Sequence, residues 1–196
     1  MSKGRLEAFS DGVIAILITI MVLELKVPHG EDWAALVPLT PVFLTYILSF
    51  VYLGIYWNNH HHMFQLASHI NGGVLWANLH LLFWLSIVPF ATGWMGENHF
   101  AKLPTSIYGF VLLMCAISYT ILQLTIIRAQ GPHSRLKAAI GDDRKGKLSL
   151  VLYLSAIPLA FVNGGISEAI YVLVALIWLV PDSRIEHQLH DSATHT

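Results

Sequence analysis

The side chains with chemical potential in this sequence gather at two places. Arg5, Phe9, Ser10 and Asp11 head a run that is then apolar to Leu23. Trp57, Asn58, Asn59, His60, His61 and His62 form a second group, followed by Asn71, Asn78 and His80. Ser10 beside Asp11 has the residue types of a nucleophile and its helper, but successive residues on a helix point about 100° apart, so Asp11 cannot organise Ser10. The same splay keeps three consecutive histidines from converging on one ion. His62 with His69, or His60 with His80, could bridge helices, but no cysteine or carboxylate cluster joins them. Histidine as a proton-sensitive group is the cheaper reading, since its pKa lies near physiological pH. No nucleophile elbow, phosphate loop or acid–base pair occurs.

A structural role fits these groups better. Ionisable side chains in a lipid-compatible segment are costly unless they face a bundle interior or water. A buried Arg–Asp pair also needs further hydrogen bonds to tolerate desolvation, and Asn, His and Trp can donate or accept them. Arg5 and Asp11 are therefore expected in a polar lock with Trp57, His60 or His61, and Asn78. The plainer alternative is a helix anchor, with Arg5 at the headgroups and Asp11 capping its neighbours. Glu24 and Glu168 have the types for a cation-attracting mouth, or simply for an interfacial position. Ile16, Ile20 and Leu23 fall at i, i+4, i+7, one side of a helix, with Thr19 beside them. By periodicity alone, that stripe is a packing face.

These residues need apolar elements to hold them, and the composition supplies little else. The chain has 196 residues, 55% of them hydrophobic and 12% charged, with a mean hydropathy of +0.60. A soluble domain carries about 25% charged residues. Half that number cannot cover a water-facing globule, so the class is a polytopic membrane protein, all-α. A net charge of -1 removes the bulk electrostatic case for nucleic acid. The single cysteine, Cys115, cannot form an intrachain disulfide. Lys3 and Arg5 before an apolar run resemble a signal peptide, but Asp11 interrupts it, and Glu24, Lys26 and Pro28 replace the small residues of a cleavage site. The first segment is expected to stay as a spanning helix.

A span needs about 20 mainly apolar residues. The spacing predicts six helices, at about 7–27, 40–64, 71–94, 104–128, 147–163 and 166–181, within one transmembrane domain of 1–182. The last two are short and could also form a re-entrant pair. A short interfacial helix is expected near Trp33, and a turn or two of helix over 135–140. Pro89 should loosen the third helix near its exit. The polar tail, 183–196, is expected to fray. With six spans, one side holds Lys3, Arg5, Arg128, Arg135, Lys137, Arg144, Lys145, Lys147 and Arg184, and the other only Lys26 and Lys102. That bias puts both termini in the cytoplasm.

Arg5-x-x-x-Phe9-Ser10-Asp11, then Gly12 and an apolar helix ending Val-Leu-Glu-Leu, resembles the signature of the transmembrane protein 175 family. The resemblance extends through Trp57-x-x-His60-His61, Asn78 and Pro89-Phe90. It implies a potassium-preferring cation channel without the TVGYG filter, which this sequence also lacks. It further implies a single six-helix repeat that assembles as a homotetramer in a prokaryotic plasma membrane, in contact with lipid. Potassium is the conducted ion, and no cofactor, metal or enzymatic activity is implied. The first helices of four subunits would line the pore. Ile16, Ile20 and Leu23 match the constriction, and Thr19 matches the polar position tied to selectivity. Ala15 stands where the lysosomal form has a hydroxyl. Arg5, Phe9, Ser10 and Asp11 would hold the first helix against the second and third rather than touch ions. The competing expectations are a membrane metalloenzyme or metal-dependent transporter using the histidines, and a non-conducting scaffold.

Overall fold

The computed structural model describes residues 2–179. The expected tail at 183–196 lies outside the described residues. Among the described residues seven α-helices run in chain order: α1 (Lys3–Ile20), α2 (Thr40–Gln65), α3 (Gly72–Glu97), α4 (Lys102–Gln130), α5 (Arg135–Ile140), α6 (Arg144–Val162) and α7 (Gly164–Leu179). The described residues contain no strand. Among the described residues, five stretches are long and apolar enough to cross a membrane: Lys3–Glu24, Trp33–Gln65, Gly72–Glu97, Lys102–Gln130 and Arg144–Val162. The chain is thus a multi-pass membrane protein. The apolar α7 has 16 residues, about 24 Å at 1.5 Å per residue.

The ends of these helices follow from local chemistry. Asn71 caps α3 by accepting from the Val74 amide at 3.0 Å. Asp143 caps α6 through the Gly146 amide at 3.1 Å, in a left-handed conformation with φ 42°. These bonds satisfy amides that a helix start leaves unpaired. Glycines at positive φ, Gly131 and Gly141, end α4 and α5. Asn163 alone separates α6 from α7, its side-chain oxygen accepting from the Gly165 amide at 3.0 Å. The region near Trp33 forms two short 3-10 turns, Trp33–Ala35 and Val37–Leu39.

The first helix starts earlier than its apolar run. Lys3 belongs to it, and its ammonium reaches the carbonyls of Gln65 and Ala67 at 3.3 and 3.2 Å, at the end of α2. A cation suits the carbonyl end of a helix. Past Ile20 the helix tightens into a 3-10 turn, Met21–Glu24. Pro89 lies inside α3, which continues to Glu97, and Pro158 lies inside α6.

The densest packing joins α3 to α4, then α4 to α6 and α6 to α7, while α1 leans on α2 and α3 at the edge of the bundle. Hydroxyls stitch the interior. Ser49 bonds Thr92 at 2.6 Å and Tyr108 at 2.9 Å, linking α2, α3 and α4. Tyr153 donates to the Tyr52 hydroxyl at 3.1 Å, Tyr52 to the Tyr171 carbonyl at 2.5 Å, and the Tyr171 hydroxyl to the Thr105 carbonyl at 3.0 Å. Such bonds between helices in lipid each contribute about 0.6 kcal/mol on average. Close approach adds to this. A Cβ on Gly96 would stand 2.8 Å from Val42 Cα and 2.6 Å from Thr45 Oγ1, so α3 meets α2 there backbone to backbone.

Candidate pore helix and its polar anchor

The first helix has two unlike faces. Leu6, Ser10, Ile14, Leu17 and Met21 recur every three or four residues and are buried against the bundle. On the outward side Ile16 is 62% exposed, Ile20 44% and Leu23 77%. Thr19 lies among them, its hydroxyl donating back to the Ala15 and Ile16 carbonyls at 3.1 and 3.0 Å. All four residues stand away from the face by which α1 packs on the rest of its chain.

The anchor is a directional chain of three side chains. Asn78 on α3 donates through Nδ2 to Ser10 Oγ on α1, 2.9 Å away. Its Oδ1 therefore faces His60 on α2 as an acceptor, with Nε2 at 2.8 Å. That orientation requires the proton of neutral His60 to sit on Nε2. Ser10 in turn donates to the Leu6 carbonyl at 2.9 Å. All three side chains are buried. His60 Nδ1 is buried and has no hydrogen-bond partner, and the ring lies 4.6 Å, centroid to centroid, from Phe64.

Of the residues expected in the lock, Ser10, His60 and Asn78 are brought together. Arg5, Phe9 and Trp57 are exposed, and Asp11 and His61 are half-buried. Arg5 and Asp11 form no ion pair with each other; the pairs among the described residues are Lys26–Glu97 at 2.6 Å and Lys147–Asp142 at 3.7 Å. Ser10 enters the lock because it shares the buried face with Leu6 and Ile14, whereas Asp11 is turned about 100° from it. The 4-4-3-4 spacing of the buried positions carried that signal. Lys3 was missed because a lysine so near the start reads as a solvated charge.

The histidines go to separate partners. His61 bonds Gln65 at 2.7 Å, His69 lies 3.2 Å from Ser68 Oγ, and His80 accepts from the Trp84 indole at 3.1 Å. Among the described residues no group of three or more His, Cys, Asp or Glu is placed to hold a metal ion. At the far end of α1, Glu24 is exposed beside Gly93 of α3. Lys26 next to it is held above its ordinary pKa, first by its hydrogen bond to Glu97 and then by that carboxylate's charge.

Residues 5–89 match the family model described as endosomal/lysosomal potassium channel TMEM175. A protein from Chryseobacterium sp. (strain P1-3), named as a potassium channel, is 58% identical over 192 residues, covering 98% of this chain and all of that one. The chain belongs to the TMEM175 family. A second protein named as a potassium channel, from Streptomyces collinus, is 30% identical over 90% of this chain and 91% of its own length. Among solved structures, a homologue of the lysosomal potassium-selective channel TMEM175, from Chamaesiphon minutus, superposes with a TM-score of 0.81. It is 30% identical, and the match covers 92% of this chain and 97% of that one. The all-helical fold is thus that of a TMEM175 chain.

Proposed function

We propose that this protein is a potassium-preferring cation channel, formed when four copies bring their α1 helices to a common axis. The observation that carries the proposal is the outward stripe of α1 and the turn that continues it, where Ile16, Ile20 and Leu23 are exposed although the opposite face is packed. One helix cannot enclose a path, but four around an axis can. Branched apolar side chains meeting there form a narrow neck that expels water and gates by dewetting. Family membership and relatives named as potassium channels favour this over an ordinary lipid-facing stripe.

The neck supplies no carbonyl cage, and the sequence has no TVGYG. Preference for potassium then rests on its easier dehydration and on Thr19. The Thr19 hydroxyl spends its hydrogen on its own helix and leaves oxygen lone pairs for a passing cation. Arg5, Phe9 and Asp11, outside the protomer's own lock, are placed to set α1 against the neighbouring subunit. The chain crosses a prokaryotic plasma membrane six times, α6 and α7 being the last two spans, with both termini cytoplasmic by the Lys and Arg bias. It catalyses no reaction and needs no cofactor.

Single-channel recording tests the assignment. Ile16→Asn or Leu23→Asn wets the neck, and is expected to raise conductance and weaken potassium preference. Wild-type currents in both variants would remove these side chains from the path.

A further inference from the structure

The junction between α4 and α6 gathers more than half of the chain's cations. Arg128, Arg135, Lys137, Arg144, Lys145 and Lys147 lie there, against Asp142 and Asp143. All but Lys145 are exposed. The two carboxylates offset little of this charge. Asp143 caps α6, and Asp142 meets Lys147 at 3.7 Å in an open position. The segment is also pinned to the bundle. Leu136 and Ala139 of α5 are buried, Ser134 donates to Gln130 Oε1 at 2.8 Å, and Gln130 donates to the Leu66 carbonyl at 3.1 Å.

The two flanking helices show the depth at which the cations stand. On α6, Arg144, Lys147, Val151, Leu154 and Pro158 are exposed at spacings of 3, 4, 3 and 4, which is one helix face. Ser149, Tyr153, Ala156 and Ala160 are buried on the opposite face. On α4, Ile121, Leu124 and Arg128 share an exposed face in the same way. Each column is apolar along the span and ends in a cation, both at the same end of the bundle. A bilayer changes there from acyl chain to headgroup. Helix stability does not account for the charges on α6, because the macrodipole disfavours cations at a helix start. The opposite end has only Lys26 and Lys102, and Lys26 is paired with Glu97 at 2.6 Å.

We propose that this junction is a docking surface for anionic phospholipids of the phosphatidylglycerol type. Arg128 on one column, and Arg144 and Lys147 on the other, take the phosphodiester headgroups, and the acyl chains lie along the apolar residues beneath. Juxtamembrane cation clusters attract anionic lipid in this way. A free phosphate would gain nothing from the columns. The inference rests on the chain lying in a bilayer and stands whether or not it conducts ions.

Electron spin resonance tests it, with spin-labelled phosphatidylglycerol and phosphatidylcholine of equal chain length in bilayers holding the full chain. Phosphatidylglycerol is expected to associate at least about five-fold more strongly. In 1 M salt, where charges are screened beyond about 3 Å, the preference should fall toward one. Arg128→Gln, Arg144→Gln and Lys147→Gln together should abolish it, and the fold should survive because all three side chains are exposed. Lys102→Gln, at the other end, should keep the wild-type ratio. Excess glycerol 3-phosphate should not displace the lipid. Equal association of the two lipids with the wild type overturns the surface. A preference that survives the triple variant, or that Lys102→Gln removes equally, overturns this placement. Displacement by glycerol 3-phosphate would make free phosphate the ligand and overturn the lipid assignment.

Discussion

At Asn78 one amide serves two helices, its oxygen accepting from His60 and its nitrogen donating to Ser10. Asn78→Ala leaves a buried histidine donor without its acceptor and should cost about 1–3 kcal/mol. Thermal unfolding in detergent checks this; a midpoint equal to the wild type would mean that the chain of bonds contributes nothing. Asp11 is half-buried and lies beside that chain, not in it. Asp11→Asn should therefore leave the protomer folded and instead disturb assembly or gating, read from oligomer mass and from currents. A normal tetramer with normal gating would contradict that. The residue types of the lock were legible in the sequence, and the membership was not. Which of Ser10 and Asp11 turns inward depends on where the packing face of α1 falls; the 4-4-3-4 spacing of Leu6, Ser10, Ile14, Leu17 and Met21 marks that face, but the other side of the run is apolar too.

Helix α1 has one face packed and the other outward, with a hydroxyl on each, Ser10 inward and Thr19 outward. It packs on α2 and α3, which also pack on each other, α3 on α4 and α2 on α7. The contact between α2 and α3 depends on Gly96, where a methyl would collide with Val42 and Thr45. Gly96→Ala should destabilise the bundle by about 1–3 kcal/mol, the cost of overpacking a tight contact. Chemical denaturation of the detergent-solubilised protein measures it, and an unchanged midpoint would mean that α3 can slide without loss. The helices themselves were easy to read. Long apolar runs between Pro, Gly and charge clusters leave little choice in lipid, where backbone groups must be paired internally. The early start of α1 was harder to see, because Lys3 reaches the end of α2, a contact between residues more than sixty positions apart.

As one bundle the protomer exposes apolar surface all round, so its outside cannot by itself separate lipid-facing from subunit-facing sides. The stripe of Ile16, Ile20 and Leu23 and the family to which the chain belongs argue for a shared axis. Light scattering of the purified protein, corrected for detergent, should give four times the 21.8 kDa chain. A mass of one chain would leave α1 with no neighbour to build a path. The most direct measurement is ion flux into liposomes holding only this protein, with potassium compared against sodium in the wild type and in Ile16→Asn. The account expects potassium to enter faster than sodium through the wild type, and the variant to pass both more readily with the difference reduced. Flux no greater than in protein-free liposomes, or a variant indistinguishable from the wild type, would contradict a path lined by the first helix.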